Sequence, residues 1–555
     1  MHREICSSKV IFQFICWVAE TLPQQMPRVI LFLKAEHRDR GPLIPTTRLA
    51  EETMGTEYEL KLATSKTGLR KALALPWLRR MAGDRIRRQH LPSVYFDTPD
   101  LGLRHHGVSL RIRRSGDQRL QTIKASSAIP TARLEWEAEI DGDRPNLKLA
   151  RRTAVAPILT DDIAPVFETR IDRTIMPLQV GRRRVELAID EGNVATPHCS
   201  VDLAEIEIEL KQGERGEVAR LARKLAHEVP VTLGVRAKAD WGYALLDGTV
   251  STAVSAEAIA LAQSATAADA FMVIGFSCLR QIAANELAVR HGDPEGTHQM
   301  RVGLRRLRAA FSFFNDMLRD KDIGRQKNAL AWLTQQLGPA RDSDVFISKT
   351  VDPYLENHPE RREFEMLARA LKRERSADFA RAKAAVESDR FRRMLLDCAL
   401  WLIDGGWRND TDDPQRAQRE RPAIAFAQEE LARRTRKIVK RVRKLEQLDP
   451  LRRHKLRIAV KKVRYARQFF ASLNPEGLRR KARRKRDRAL KGMQRALGSL
   501  NDMRSHHHLA KDFAGANAAS RRAFAIGHLT GREEAGAEDL LREALAAGKL
   551  LKKTS

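Results

Sequence analysis

Glu57-Tyr58-Glu59-Leu60-Lys61-Leu62 alternates strictly between charged and apolar or aromatic side chains. Read as a strand, it sends Glu57, Glu59 and Lys61 to one face and Tyr58, Leu60 and Leu62 to the other. Two carboxylates two residues apart repel each other. They are tolerated in open water, or where a cation or Lys/Arg groups offset them. The stretch alone also fits the solvated face of a two-layer sheet. Later strands carry the same pattern with complementary charge, and they decide its meaning.

Period-two segments run from Met54 to about Leu246. Tyr95-Phe96-Asp97-Thr98-Pro99-Asp100 ends a strand in turn formers. Val108 to Arg113 puts Arg111 and Arg113 opposite Leu110 and Ile112, and Gln121 to Ala125 carries Lys124. Leu134 to Ile140 aligns Glu135, Glu137 and Glu139, Arg184 to Asp190 aligns Arg184, Glu186 and Asp190, and Glu205, Glu207, Glu209 and Lys211 oppose Ile206 and Ile208. Helical candidates lie at Gly68–Met81 and Gly216–His227. Antiparallel sheets usually bury one face and wet the other, so two readings stay open. One is a sandwich with charged outer faces. The other is a barrel with a charged interior and an apolar outside covered by helices. Such an interior suits a polyanion with a divalent metal: Lys and Arg take phosphate oxygens, and carboxylates hold Mg²⁺ or Mn²⁺. Glu135, Glu137 and Glu139 fit either that interior or an outer wet face.

The 555 residues allow three or four domains of ~150 residues each. A net charge of +30 and a pI near 10.3 attract polyanions: nucleic acid, polyphosphate or an anionic membrane. Aromatic residues make up only 6%, which is thin for stacking on unpaired bases and ranks nucleic acid below polyphosphate. Cys6, Cys16, Cys199, Cys278 and Cys398 show no metal-type spacing and read as reduced thiols. No stretch reaches the ~18–20 apolar residues of a membrane helix; Val10 to Ala19 comes nearest, and no membrane partner is expected. Residues 1–53 match nothing downstream, and Met54 stands just before the first patterned strand, so translation is expected to start there. The expected domains are 54–247 and 269–550, joined by an Ala/Ser/Thr-rich linker over 248–268.

The second half repeats itself. His298-Gln299-Met300-Arg301-Val302-Gly303-Leu304-Arg305-Arg306-Leu307-Arg308 returns as His454-Lys455-Leu456-Arg457-Ile458-Ala459-Val460-Lys461-Lys462-Val463-Arg464. Both copies reach a Phe-Phe, then Leu337-Gly338-x-x-Arg341-Asp342 or Leu497-Gly498-x-x-Asn501-Asp502. Each copy predicts a bundle of about four helices. His298, Arg301, Arg305 and Arg308 fall on one helical stripe about 15 Å long, as do His454, Arg457, Lys461 and Arg464. Met300, Leu304, Leu307, Phe311 and Phe314 form the apolar face, with Leu456, Val460, Val463 and Phe470 in the second copy. Further cations crowd Arg479 to Arg488. His506-His507-His508 reads as a surface run, and Asp410 to Pro414 as an acidic loop.

The ordered set Glu57-x-Glu59-x-Lys61, Tyr95-Phe96-Asp97-Thr98, Ser109 to Arg113, Lys124, Arg173, Glu205-Ile206-Glu207 and Lys238 before Trp241-Gly242-Tyr243 resembles CYTH domains, the triphosphate tunnel metalloenzymes. The repeated half resembles the CHAD domain. The resemblance implies an α+β chain: an eight-stranded antiparallel β tunnel with flanking helices, then an all-α domain of two repeated bundles. It implies a cytoplasmic inorganic triphosphatase, with association with polyphosphate granules as a further expectation, using Mg²⁺ or Mn²⁺ and releasing pyrophosphate and phosphate. Glu57 and Glu59 match the acids at the tunnel's metal end. Glu205 and Glu207 match the late pair that completes metal binding and positions water. Glu209, with Asp190, joins these acids by strand parity. Lys61, Arg111, Arg113, Lys124, Arg173 and Lys238 match the phosphate-binding cations, with Lys61 also counted in the catalytic set. His298, Arg301, Arg305, Arg308, His454, Arg457, Lys461 and Arg464 match a basic motif that binds inorganic polyphosphate. The competing expectations are a non-catalytic polyphosphate-binding protein and a tunnel acting on thiamine triphosphate or a nucleotide, adenylate cyclase chemistry included.

Overall fold

In the computed structural model, residues 55–126, 132–153, 155–180, 182–318, 320–409, 415–514 and 521–554 are described. Residues 1–53 and the expected acidic loop 410–414 lie outside them. The strands are β1 (Gly55–Ala63), β2 (Arg87–Asp97), β3 (Val108–Ser115), β4 (Gln118–Ser126), β5 (Ala132–Glu139), β6 (Ala164–Val180), β7 (Arg183–Ala195), β8 (Ser200–Gln212) and the two-residue β9 (Thr232–Leu233). They form one antiparallel sheet in the order β5-β4-β3-β2-β6-β7-β8-β1-β9. β1 divides its length between partners: Gly55–Tyr58 pair with β5, and Glu59–Ala63 pair with β8. That split closes eight strands into a cylinder, with β9 attached beside β1. Of the two sheet readings, the barrel is the one adopted.

The outside of the cylinder is apolar and covered. Leu60 and Leu62 are buried with α1 (Lys66–Ala74), α2 (Pro76–Ala82) and α3 (Arg215–Glu228), whose inward residues include Leu69, Leu78, Val218 and Leu225. Full burial of each such side chain contributes about 1.5–3 kcal/mol. Ser65 caps α1 by accepting from the Gly68 amide at 3.1 Å. Arg111 and Arg113 leave Leu110 and Ile112 to a second outer cluster with Ile123, Leu134 and Leu103.

α4 (Lys238–Leu246) follows β9. Its Tyr243 and Leu245 form one apolar cluster with Leu91, Tyr95, Phe167, Ile171, Val194 and Leu203. The strand registers put these β residues on the same face as Arg111 and Asp190, so the cluster fills one end of the interior. Asp97 fixes this end. Its buried carboxylate accepts the Tyr243 hydroxyl at 2.6 Å and the amides of Thr98, Leu103 and Arg104. The residue expected only to turn the chain therefore ties a strand, a turn and a helix together.

The helical half comprises α5 (Ala267–Ala284), α6 (Pro294–Phe313), α7 (Ile323–Phe346), α8 (Arg362–Glu387), α9 (Asp389–Asp404), α10 (Ala423–Val442), α11 (Pro450–Phe469), α12 (Arg480–Ala514), α13 (Arg521–Ala535) and α14 (Ala537–Lys553), with shorter helices between. The apolar stripes of the two copies are fully buried, and Phe313 and Phe314 meet Phe470. Ala267–Arg290 is long and apolar enough to cross a membrane, nearer to that standard than Val10 to Ala19. It is a core helix here, with Phe271, Ile274, Leu279 and Ile282 at zero exposure. His506 departs from the expected surface run. It is buried against Phe346 and donates Nδ1–H to Glu533 at 2.8 Å. α13 supplies the covering surface, which no local pattern around the three histidines announces; the side chains of His507 and His508 lie outside the described residues.

One apolar core runs from Leu60, Leu62 and Leu225 of the barrel half to Leu396, Leu400 and Ile403 of α9. Arg223 of α3 donates to the Leu400 carbonyl at 3.2 Å and pairs with Asp404 at 3.3 Å.

Gly242 tests the filled end. A β-carbon there would stand 2.2 Å from the Phe167 ring, which is itself stacked on Tyr95 at 4.6 Å and edge-on to Tyr243 at 5.1 Å. Overpacking of this kind costs about 1–3 kcal/mol. Gly242→Ala is expected to lower the urea midpoint accordingly, and an unchanged midpoint would mean the ring moves freely.

Candidate functional site

Register alone assembles the interior wall. Lys61 pairs with Glu207, Glu59 with Glu209, and Ala63 with Glu205 across β1 and β8. Asp190 pairs with Glu205 and with Arg173 across β7, while Arg111 pairs with Tyr95. Paired residues share a face, so these groups meet inside the closed cylinder. Glu59, Asp190, Glu205, Glu207, Arg111 and Lys238 are each more than nine-tenths buried.

Burying so many charges is tolerable only where they are paired. Arg173 grips Asp190 with two hydrogen bonds, at 2.7 and 2.6 Å, and donates to Glu207 at 2.5 Å. Lys238, at the start of α4, reaches Asp190 at 2.8 Å, Glu207 at 3.0 Å and also Glu205. Lys61 donates to Glu59 at 3.3 Å and to Glu207. The α4 start is fixed by Asp240, which accepts the Ala237 amide at 2.7 Å.

These contacts set the ionisation of the wall. Burial pushes the Glu207 carboxyl up, but Lys238, Lys61 and Arg173 together hold it well below the usual carboxylate range. Burial alone would lower Lys238 and Lys61, and the facing acids raise both instead. For Arg113, burial and then Arg111 and Arg173 outweigh Tyr95 and Glu137 and push its guanidinium down to about 10. Burial raises the Tyr95 phenol, and Arg111 beside it more than reverses that. The Nε atoms of Arg111 and Arg113 are buried without a hydrogen-bond partner among the described residues. A wall sector whose buried Nε–H groups lack acceptors suits an anionic ligand.

The acids suit a cation. Oxygens of Asp190, Glu205 and Glu207 lie within 4.8 Å of one another. An all-oxygen donor set matches hard divalent ions such as Mg²⁺ and Mn²⁺.

Of the expected tunnel residues, the structure brings Glu59, Lys61, Glu205, Glu207, Arg173 and Lys238 into one network. Arg111 and Arg113 stand beside it. Lys124 lies along the wall, paired with Glu135 at 3.0 Å. Glu209 faces Glu59 in register and pairs with Lys211 at 2.5 Å. The backbone of Glu57 lies in β1, and its side chain lies outside the described residues. Glu135 and Glu137 take the inner face. Their register partners are Lys124 and Thr122, and Thr122 donates to Glu137 at 2.9 Å. The phase of Lys124 is the signal that identifies them. Tyr95 also joins the wall, its hydroxyl accepting from Arg111 at 3.4 Å.

In the helical half, α6 packs beside α11 and the two basic stripes face each other. Arg305 acts on both Arg457 and Lys461. Arg301 Nε and Nη1, and the Nε atoms of Arg305, Arg457 and Arg464, are buried without a hydrogen-bond partner among the described residues. Asp342 approaches Arg301 at 3.4 Å and Asp502 approaches Arg457 at 3.8 Å, so the repeated Leu-Gly-x-x-x-Asp segments supply the acids of the groove. Burial, then Arg457, Arg305 and Arg464, push the Lys461 amine down to about 7 despite Asp502. Burial and Arg341 push His298 down to about 4. His454 hydrogen-bonds Asn501. Arg308 is exposed at the end of its stripe, beside Lys462.

Comparison with known proteins agrees with both halves. Residues 55–234 match the CYTH domain, and residues 274–511 match the CHAD domain. An inorganic triphosphatase of Haemophilus influenzae is 26% identical over 201 residues, covering 35% of this chain and 56% of that protein. The chain thus spans little more than half the length of that curated relative. The crystal structure of the CHAD domain from the plant Ricinus communis is 29% identical with a TM-score of 0.46, covering 53% of this chain and 96% of that one. A Hippeastrum protein described as having a dominant triphosphatase activity is 19% identical with a TM-score of 0.27, covering 35% of this chain and 96% of that one. The chain carries a CYTH domain followed by a CHAD domain.

Proposed function

We propose that the barrel hydrolyses inorganic triphosphate to pyrophosphate and phosphate with a divalent cation, and that the helical groove binds inorganic polyphosphate. The observation that carries the first reading is the buried convergence of Asp190, Glu205 and Glu207 beside a wall of six cations. A linear triphosphate would lie along Lys61, Arg111, Arg113, Lys124, Arg173 and Lys238. Glu59, Glu205 and Glu207, with Glu57, Glu209 and Asp190, would hold Mg²⁺ or Mn²⁺. The bound cation supplies charge neutralisation at the phosphate oxygens. The chain's own cations orient the triphosphate and offset the charge that builds as the terminal phosphoryl group departs. The acids orient water against the terminal phosphorus. No covalent nucleophile is needed.

The polyphosphate reading rests on the partnerless guanidinium donors of the two facing stripes. A flexible chain with about one charge per phosphate would bind with strong salt dependence.

Glu57→Gln with Glu59→Gln is expected to abolish phosphate release from inorganic triphosphate, measured with Mg²⁺, Mn²⁺ or EDTA on residues 54–555. Polyphosphate retention should survive in that variant. Absence of release by the unsubstituted chain, with ATP and thiamine triphosphate run in parallel, would leave a polyphosphate-binding protein.

The groove also predicts a pH dependence. Free Lys461 titrates near 7 among Arg305, Arg457, Arg464 and Asp502. Phosphate oxygens beside it would raise that value, so binding takes up a proton near neutrality. Affinity should be full below pH 7 and fall as pH rises through the bound value, by about tenfold per unit of separation. Lys461→Arg, charged throughout, should flatten the profile between pH 6 and 9 in filter binding. A wild-type profile that is already flat would contradict this.

A further inference from the structure

The internal repeat offers a control for reading the cationic tract at the start of α12. An offset of 160 residues sets Leu337-Gly338 on Leu497-Gly498 and places 479–491 against 319–331. The second copy holds nine cations and one acid in that window: Arg479, Arg480, Lys481, Arg483, Arg484, Lys485, Arg486, Arg488 and Lys491 against Asp487. The first holds four cations and two acids. A solvated helix face needs no such excess. Neighbours at i and i+4, such as Arg480 and Arg484 or Lys481 and Lys485, repel each other. Cations in the first turns also oppose the helix dipole. The tract is locally unfavourable for the free protein, and only one of the two copies keeps it.

Its geometry joins it to the groove. Arg464 closes the α11 stripe, and Arg467 lies one turn further on. Arg467 pairs with Asp487 at 2.9 Å and with Glu476, and it feels Arg486 and Arg483. Arg486 is 8% exposed, pairs with Glu476, and keeps a buried Nε without a hydrogen-bond partner. From this junction Arg480, Lys481, Arg483, Arg484, Lys485 and Arg488 project as exposed side chains. None of the six makes an ion pair or side-chain hydrogen bond among the described residues. At 1.5 Å per residue the tract adds about 20 Å beyond the stripe.

We propose that this tract is a second anion-binding surface that receives the continuation of a long polyphosphate chain as it leaves the groove over the second repeat. The inference rests on the polyphosphate reading of the groove and adds to it a preference for long chains with one exit. Continuity with the α11 stripe, together with the near absence of exposed aromatic side chains in the tract, favours polyphosphate over RNA.

The test uses the full chain and a variant with Arg480, Lys481, Arg484, Lys485 and Arg488 each changed to Gln. These side chains are exposed, and thermal melting verifies the fold. Binding is measured with polyphosphates of about 10 and about 100 units at several salt concentrations. The expected result is an unchanged affinity for the short chain, an at least tenfold loss for the long chain, and a shallower salt dependence for the long chain alone. An unchanged ratio of long-chain to short-chain affinity would overturn the proposal while leaving the groove reading intact. Failure of the short chain to bind the unsubstituted protein would defeat the groove reading and this one with it. Preferential displacement of the long chain by RNA of equal charge would assign the surface to nucleic acid instead.

Discussion

Charge confined to the inside of a closed cylinder is the constraint on which the rest depends. Ionised groups out of water need partners at close range. Here Asp190, Glu205 and Glu207 share Arg173, Lys238 and Lys61. Once the inner face is polar, the apolar outer face cannot remain in solvent. The helices α1 to α3 cover it, and α9 completes the covering from the other half of the chain. The folding driving force thus sits outside the barrel and the chemistry inside, the reverse of a β-sandwich.

The alternation of Glu57 to Leu62 was enough to separate the two faces of β1. It did not say which face closes inward. That follows from strand pairing, because β1 divides between β5 and β8 and so turns Glu59 and Lys61 inward, toward Glu209 and Glu207. Glu135 and Glu137 were ambiguous for the same reason: parity gives two faces, and only the match of Glu135 with Lys124 chooses between them. Lys238 sits on a helix, where period-two reading has no purchase, and its place in the acidic cluster came from family likeness. Asp97 illustrates the opposite failure. Its residue type fits a turn, so local chemistry masked the long-range bond to Tyr243.

In the helical half, spacing was informative because the same stripe occurs twice. Duplicated positions distinguish a common requirement from the accidents of one copy. The facing of the stripes was not legible, since periodicity describes one helix and says nothing about its neighbour. His506 shows the cost: its burial depends on α13, nearly a full helix away in sequence.

The unbroken apolar core between barrel and α9 means that the boundary between the two domains is not a boundary between separate cores. Leu60 and Leu62 share their solvent shelter with Leu396 and Ile403. Sequence divergence on either side is therefore yoked. The outer face of β1 cannot change without a matching change in α9, so the helical half also acts as a mould for the tunnel.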